Sequence, residues 1–273
     1  MKKPAAVNIR VLCATDLHQS VIQYQALHQA VLEQKPNVVA MVGDFLHFWN
    51  PPVWELLPVA ECAEKLAELP AEHLLFVRGN HEDQNWGSFV SAWPHQRREL
   101  TALYGSAYTV GPLTMIGFPC LTGDESHWCK HLSGDRKRMK LNPESGVPSL
   151  PVDTEKWLPK VLEQTGPAGR TLWLMHECPM ALPISRPDIF NPAWTDAVEK
   201  YSPLLTISGH DHDTPRGNNT WHDRYGDTVC VNAGQAKRTF HYVLVDFEFP
   251  AATSSLPTRV KIRAFPWNKE ISV

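Results

Sequence analysis

Five short polar clusters punctuate this chain and carry side chains suited to metal binding. In chain order they are Asp16-Leu17-His18, Gly43-Asp44, Gly79-Asn80-His81-Glu82, His176-Glu177 and Gly209-His210-Asp211-His212. Among them, two carboxylates, one carboxamide and four imidazoles are suited to ligation, and His81 is a further imidazole. That set can hold two divalent metal ions side by side, and such a pair catalyses in-line displacement at phosphorus. One cluster alone would be weak support, whereas all five in this order predict a binuclear metal site.

An apolar run precedes each cluster, and its composition predicts a buried strand. The five runs cover residues 8–15, 38–42, 74–77, 172–175 and 204–208. Short, nearly continuous apolar runs rich in β-branched residues are typical of strands buried on both faces. In open α/β sheets, the crevice beyond the carboxyl ends of the strands is the usual binding site. We therefore expect the polar clusters to meet at one edge of a sheet.

The elements between and after these runs indicate an α/β fold. Helical periodicity appears at 20–34, at 53–69, at 89–103 with an interruption at Pro94, and at 157–163. Alternation of strand and helix over the first ninety or so residues predicts parallel strands joined by crossover helices. In the C-terminal third, strand-like runs at 229–231, 242–247 and 260–264 follow one another with little helix between them. We predict that they pair antiparallel and close a second sheet.

Length and composition are consistent with one folded domain over residues 1–273, since 43% of the chain is hydrophobic. The net charge of −3 provides no global basic field to recruit nucleic acid or a membrane surface. No long apolar stretch follows Met1-Lys2-Lys3-Pro4, so we expect no signal peptide, and the sequence has no apolar run of about 20 residues for a membrane span. None of the six cysteines forms a C-x-x-C pair. We therefore expect a reduced, cytoplasmic protein.

The segment at about 119–151 interrupts the alternation of strands and helices. It is rich in Gly, Ser and Pro, and it carries the basic run Arg136-Lys137-Arg138-Met139-Lys140. We interpret it as an inserted loop or cap, because long loops in compact domains are usually functional lids or mobile excursions. The basic run is either a solvated surface or a contact for an anionic substrate.

In the order and content of its clusters from Asp16 to His212, the chain resembles the calcineurin-like metallophosphoesterases. The resemblance implies a four-layer α/β/β/α sandwich of two mixed sheets flanked by helices. It also implies two ligand groups joined by a bridge. The first group is Asp16, His18 and His212, the second is Asn80, His176 and His210, and Asp44 is shared by both. The turn Val231-Asn232-Ala233-Gly234 resembles one that packs beneath the site in this family.

The chemistry of these residues agrees with the implied assignment. Imidazole, carboxylate and amide oxygen suit Mn, Fe and Zn, and the lack of thiolates disfavours a soft metal. Two neighbouring dications repel, so a negative bridge such as Asp44 and a bridging hydroxide are needed to offset them. That hydroxide would attack phosphorus opposite the leaving oxygen. His81 would protonate the leaving oxygen or stabilise the phosphoryl oxygens, and Glu82 would orient its ring.

Two residues help to distinguish between subgroups of the calcineurin-like metallophosphoesterases. His47 lies three positions after Asp44, where purple acid phosphatases place a tyrosine ligand. It either faces the first metal or the substrate, or it is a plain loop histidine. Arg78 before Gly79 resembles the motif of serine/threonine protein phosphatases, but residues 43–48 lack the arginine that those enzymes carry. A protein phosphatase is therefore disfavoured.

Two classes of function remain open at this stage. The favoured one is a metal-dependent phosphoesterase acting on a small phosphate ester, with a phosphodiester preferred to a monoester. Phosphomonoesterase, nucleotidase or the disfavoured protein phosphatase activity is the alternative on the same fold, and nucleic acid is a disfavoured substrate that stays open. The other class is a non-catalytic scaffold for a partner, in which metal ligands are typically lost. All seven predicted ligands and His81 are retained, which favours an enzyme. The sequence does not determine the oligomeric state.

Overall fold

The computed structural model describes residues 5–47, 56–82, 84–118, 120, 154–165, 170–254 and 256–273. The first half contains β1 (Val7–Ala14), α1 (Val21–Gln34), β2 (Val38–Val42), α2 (Val59–Ala67), β3 (His73–Val77), α3 (Trp86–Ala92), β4 (Thr101–Ala102), β5 (Ser106–Val110) and β6 (Leu113–Phe118). The second half contains α4 (Thr154–Thr165), β7 (Thr171–Met175), α5 (Pro192–Tyr201), β8 (Leu205–Ser208), α6 (Thr214–Asn218), β9 (His222–Tyr225), β10 (Thr228–Asn232), β11 (Tyr242–Phe249), β12 (Arg259–Phe265) and β13 (Lys269–Ser272).

These strands form two mixed sheets. The first has seven strands in the order β13-β12-β11-β1-β2-β3-β4, and the second has six in the order β5-β6-β7-β8-β10-β9. The pairs β1–β2, β2–β3 and β3–β4 are parallel, as are β6–β7, β7–β8 and β8–β10. The predicted parallel pairing in the first ninety residues is thereby confirmed. Antiparallel strands complete one edge of the first sheet, at β11, β12 and β13, and both edges of the second, at β5 and β9.

Three apolar layers hold the sheets and helices together. Successive side chains of β1 alternate between two of them, because neighbouring residues of a strand point to opposite faces. Leu12 and Ala14 pack against the layer that α1, α2 and α3 cover, whereas Val11 and Cys13 pack between the two sheets. A third layer lies on the outer face of the second sheet, where Trp173 contacts residues of α4 and α5. The order of layers is therefore α/β/β/α, which confirms the predicted four-layer sandwich.

The prediction for the C-terminal strands is partly wrong. β11 and β12 pair antiparallel as expected, but they extend the first sheet through β1 rather than closing the second. β10 alone of the three predicted runs joins the second sheet, parallel to β8. The physical reason is that β1 is buried on both faces and presents a second hydrogen-bonding edge, which β11 pairs along most of its length. Residue patterns predict which face of a strand is buried, but they do not predict which edge it joins.

The helix predicted over 89–103 is also shorter in the structure. α3 ends at Ala92, and Trp93 is extended at φ −64° and ψ 131°. Proline disfavours helical backbone in the residue before it, so Pro94 ends the helix and the chain continues to β4. The predicted start of α2 at residue 53 lies outside the described residues, as does the insertion at about 119–151 apart from Cys120. Of the helices described, none has the length and apolarity to cross a membrane.

Candidate metal centre

The carboxyl ends of five strands meet between the two sheets. The loops after β1, β2 and β3 of the first sheet carry Asp16, His18, Asp44, Asn80 and His81, and the loops after β7 and β8 of the second carry His176, His210 and His212. The structure brings all eight predicted side chains to this place. Ligand candidates thus come from both sheets, and the site lies where the two sheets face each other.

Backbone hydrogen bonds lock the loops together. The amide of Asp16 donates to the carbonyl of Gly43 at 3.0 Å, and the amide of His18 donates to the carbonyl of Asp44 at 2.8 Å. The amide of His210 donates to Oδ2 of Asp16 at 3.1 Å, which ties the second sheet to the first. Each candidate carboxylate is therefore held at its backbone as well as at its side chain.

Four of the candidate residues have left-handed backbone. The φ angles are 57° at Asp16, 46° at His18, 51° at Asp44 and 67° at His210. A residue with a side chain seldom adopts this region, and doing so costs on the order of 1 kcal/mol or more. The surrounding hydrogen bonds hold these residues in place against that cost. Strained backbone of this kind is concentrated at functional sites.

Glycines permit the close approach of the loops. Gly43 has φ 87°, and a Cβ at this position would overlap the ring of His176. A Cβ at Gly79 would overlap the carboxylate of Asp44. These two positions therefore require glycine for different reasons. The first needs both left-handed backbone and space, whereas the second needs space alone.

The first candidate group is formed by Asp16, His18 and His212. Nε2 of His18 lies 3.2 Å from Nε2 of His212, and Nε2 of His212 lies 3.1 Å from Oδ1 of Asp16. Oδ1 of Asp16 lies 4.0 Å from Nε2 of His18. Three atoms that can each supply a lone pair thus converge on one point. Such an arrangement is favourable when they share a cation.

The second candidate group is formed by Asp44, Asn80, His176 and His210. Nδ1 of His176 donates to the carbonyl of Val42 at 3.0 Å, since a carbonyl oxygen can only accept. This bond leaves Nε2 of His176 facing Oδ2 of Asp44 at 3.2 Å and Oδ1 of Asn80 at 3.1 Å. One ligand atom each of Asp44, His176 and His210 lies within 4.8 Å of the others. A hydrogen bond on the remote ring nitrogen is the usual way to orient a metal-binding imidazole.

Charges around His176 favour a cation at this position. Burial opposes a positive charge on His176, but the carboxylates of Asp44 and Asp16 outweigh it and raise the pKa to about 10. Burial likewise opposes a negative charge on Asp44, yet His176, His81 and His18 hold its pKa well below the usual range. The charged ring of His176 thus keeps Asp44 ionised. It interacts with histidines of both groups, as a residue lying between them would.

Two other histidines stay neutral. Burial lowers the pKa of His18 to about 3, and burial together with His176 lowers the pKa of His210 to about 4. A neutral imidazole keeps a lone pair for a metal ion.

The spacing of the side chains fits two divalent ions. Metal–ligand bonds of about 2.0–2.2 Å to nitrogen and oxygen separate neighbouring ligand atoms by about 3.0–3.6 Å. The separations of 3.1 and 3.2 Å in both groups lie in that range. The donors are imidazole, carboxylate and amide oxygen, which suits metals of intermediate hardness. The residues therefore fit a binuclear metal centre.

His81 lies beside both groups. Its amide donates to Oδ1 of Asp44 at 2.8 Å, and its Nε2 lies 3.8 Å from Oδ2 of the same carboxylate. Its ring contacts the ring of His18 edge to face, with centroids 4.6 Å apart. His47, whose role the sequence left open, joins this pair of rings.

Two buried carboxylates accept hydrogen bonds from backbone amides that their positions in the sequence did not predict. Glu82 was expected to orient the ring of His81, but its carboxylate accepts hydrogen bonds from the amides of Gly79, Asp44 and Leu46. Asp211, between two candidate ligands, accepts from the amides of Arg186, Asp213 and Thr214. Both therefore order the loops that present the ligands. A clue was available for Asp211 only, since an aspartate in a loop commonly accepts hydrogen bonds from backbone amides two or three residues further along the chain.

The predicted turn at 231–234 packs beneath the loop that carries His210 and His212. Nδ2 of Asn232 donates to the carbonyl of Asp211 at 3.1 Å, and the amide of Gln235 donates to the carbonyl of His212 at 3.2 Å. Oδ1 of Asn232 accepts from the amide of Gly234 at 2.8 Å. The turn thus supports the second-sheet half of the site.

Comparison with known proteins identifies relatives of this fold. The model of the calcineurin-like phosphoesterase family matches residues 9–214. A dimetal phosphatase from Danio rerio is 14% identical, with a TM-score of 0.60 over 97% of this chain and 98% of that one. A protein from Thermus thermophilus is 11% identical, with a TM-score of 0.58 over 98% and 99% of the two chains. At these identities the structural likeness concerns the fold. Curated protein sequences give no significant match.

Proposed function

This chain belongs to the calcineurin-like phosphoesterase family, and we propose that it hydrolyses a phosphate ester at a centre of two divalent metal ions. The observation that carries the proposal is the pair of ligand groups on either side of Asp44. Each group contains two pairs of ligand atoms that lie 3.1–3.2 Å apart. The family match supports the reaction class, and the geometry supports the residues that would perform it.

The seven residues expected to hold the ions divide as the resemblance implies. Asp16, His18 and His212 would hold the first ion, Asn80, His176 and His210 the second, and Asp44 would contact both. Mn, Fe and Zn suit this donor set. When bound, such a pair supplies Lewis acidity and a nucleophile derived from water.

His81 is the residue proposed to act on the substrate itself. Its backbone is fixed by Asp44, while 16% of its side chain remains accessible to solvent. By contrast, His176 is fully buried. A substrate can therefore reach His81 more readily than the interior ligands. An imidazole there would donate a proton to the leaving oxygen or a hydrogen bond to a phosphoryl oxygen.

A phosphodiester is favoured over a monoester. A monoester carries more negative charge and profits from a nearby guanidinium. The arginine closest in sequence to Asn80 is Arg78, whose guanidinium lies over the rings of Trp86 and Tyr104 at 5.4 and 5.6 Å. Burial of 96% of this residue supports a packing role for its cation. The singly charged diester therefore suits the described surroundings better.

The proposal is tested by metal content together with turnover. Purified protein is loaded with Mn, analysed for bound metal and assayed with phosphodiesters, phosphomonoesters and nucleotides. We expect two metal ions per chain and faster hydrolysis of a diester. Asp44→Ala should lose metal from both positions and lose turnover. Asp227→Ala, at an exposed carboxylate of the same type, should retain both. Two metals and normal turnover in Asp44→Ala would contradict the proposed centre, and faster monoester hydrolysis would contradict the substrate preference.

We further propose that the protein acts in the cytoplasm on a small phosphate ester. Cys13, Cys62, Cys178 and Cys230 are buried thiols outside any disulfide, which suits a reducing compartment. The net charge of −3 supports a small substrate over duplex nucleic acid.

A further inference from the structure

Three imidazoles form a triangle beside the two ligand groups. The ring centroids of His18 and His47 are 5.5 Å apart, those of His47 and His81 5.3 Å, and those of His18 and His81 4.6 Å. The interplanar angles are 62°, 83° and 73°, so each pair meets edge to face. One ring nitrogen of each lies within 4.8 Å of the others. His18 and His81 already belong to the proposed centre, whereas His47 has no assigned part in it.

The backbone of His47 is fixed on both sides. Its amide donates to Oε1 of Gln19 at 2.7 Å, and its carbonyl accepts from Nδ2 of Asn85 at 2.5 Å. Gln19 is itself buried and donates through Nε2 to the carbonyl of Leu57 at 2.7 Å. The ring of His47 is thus carried by a backbone that two neighbouring loops hold in place. A side chain presented in this way can contact a ligand with little loss of entropy.

The triangle faces the open side of the centre. The side chains of His18 and His81 are 20% and 16% exposed and that of the neighbouring His212 is 36% exposed, whereas those of His176 and Asp44 are 0% and 2% exposed. His47 is also only partly buried. A substrate arriving from solvent would therefore meet these three rings before it met the interior ligands.

The composition of the triangle favours an anion over a third cation. Each ligand group contains a carboxylate, but the triangle consists of imidazoles alone. A third dication held by neutral ligands beside two others would be repelled by both. A phosphoryl group, in contrast, carries negative oxygens that accept hydrogen bonds from N–H groups.

We propose that His47 is a substrate-binding residue that donates a hydrogen bond to a phosphoryl oxygen, alongside His81 and on the side of the first ligand group. The inference rests on the proposed phosphoesterase function and adds a residue to it. It places two imidazole donors, from the loops after β2 and β3, around the same phosphoryl group. The ligand that these two imidazoles would contact is a phosphate ester or inorganic phosphate.

Binding of inorganic phosphate tests this role without turnover. Wild type, His47→Ala, His47→Gln and the control His95→Ala, at an exposed loop histidine, are loaded with Mn and titrated with phosphate by calorimetry. Metal content is measured in parallel. We expect His47→Ala to keep two metals and to bind phosphate about 10- to 100-fold more weakly, the usual effect of removing a hydrogen bond to a charged group. His47→Gln, which keeps an N–H donor, should lose less, and His95→Ala should lose nothing.

Two results would overturn the inference. Loss of one metal ion in His47→Ala would make His47 a ligand, and unchanged phosphate affinity with unchanged metal content would make it a loop residue. Either result leaves the proposed function intact if wild type binds phosphate and hydrolyses esters while His81→Ala is impaired. Failure of wild type to bind metal or phosphate would instead count against the function itself. The hydrogen bonds of His47 to Gln19 and Asn85 are made by its backbone groups, so both variants keep them, and thermal unfolding checks that each variant is folded.

Discussion

The carboxylate of Glu82 accepts a hydrogen bond from the backbone amide of Asp44 at 2.9 Å. The same carboxylate accepts from the amides of Gly79 at 2.6 Å and Leu46 at 2.8 Å. One buried side chain thus gathers the loops after β2 and β3, which carry the proposed bridge and the proposed proton donor. Glu82 therefore positions other residues of the site, and its contribution to protein stability can be measured separately from activity.

Glu82→Ala should destabilise the metal-free protein by about 3 kcal/mol or more, because three buried amides lose their acceptor. Glu82→Gln should cost less, since its amide oxygen still accepts. Urea unfolding monitored by fluorescence gives both values, with Glu163→Ala at an exposed position as the control. If Glu82→Ala were as stable as the control, the three hydrogen bonds would have no net role in ordering the loops.

His81→Ala should lower kcat by about 10²–10⁴ while leaving metal content near normal, because general-acid catalysis contributes that much. The loss should be smaller for an ester whose leaving group is a weak base, such as nitrophenolate. A series of esters with leaving groups of different basicity measures this dependence. Equal losses along the series would assign His81 to stabilising the phosphoryl oxygens, and a loss of metal would make it a ligand.

The stability of the metal-free protein should fall as pH rises from about 6.5 to about 10. The pKa of His176 is raised from 6.5 to about 10, so its charged form favours the folded state. This contribution is complete below pH 6.5 and is lost as pH rises through 10. Urea unfolding in metal-free buffers over this range measures it. His176→Asn should show a flatter profile, and an equally steep profile in that variant would assign the effect to other groups.

Metal binding should release protons over the same pH range. An ion bound at Nε2 of His176 requires that nitrogen to be deprotonated, so metal and proton compete. Calorimetric titration with Mn in two buffers of different ionisation enthalpy gives the number of protons released. We expect a release that declines as pH approaches 10, where the metal-free histidine is already neutral in half of the molecules. No release at neutral pH would argue against His176 as a ligand.

Gly79→Ala should reduce metal affinity and stability, because the added Cβ would overlap the carboxylate of Asp44. Accommodating it requires a shift of the loop after β2 or β3. Gly217→Ala is the matched control, since a Cβ at that helical position has no heavy atom within 4 Å. The control should be neutral or slightly more stable, as alanine favours helix over glycine. Thermal unfolding with and without Mn distinguishes the two variants.

The convergence of the candidate ligands was largely foreseeable because they lie in short polar clusters along the sequence. Asp16, Asp44 and His176 each follow a buried strand, and the general rule for α/β sheets places such loops together. The backbone at these positions was not foreseeable. Asp16, His18 and Asp44 adopt left-handed φ angles, which are uncommon for any residue with a side chain, and hydrogen bonds between loops that are distant in sequence hold them there.

The fold class was foreseeable from the sequence, whereas the neighbours of each strand in the sheets were less so. Val11 and Leu12 predict a strand buried on both faces, and the structure agrees. The partner on its second edge is β11, far along the chain, and local pattern contains no information on that choice. Glu82 illustrates the same limit, because a carboxylate beside a catalytic residue indicates a contact with that residue more readily than with three backbone amides.

The position of β1 between β2 and β11 has a consequence for biosynthesis. Arg10 of β1 and Asp246 of β11 form an ion pair 2.5 Å long across 236 positions of sequence, and the whole second sheet lies between them in the chain. On the ribosome, β1 can pair with β2 early, but its other edge stays unpaired until β11 has been synthesised. During that interval an apolar edge is open to pairing with other chains. Asp16, at the end of β1, is thus among the first candidate ligands to be synthesised, and its strand is among the last to gain both neighbours.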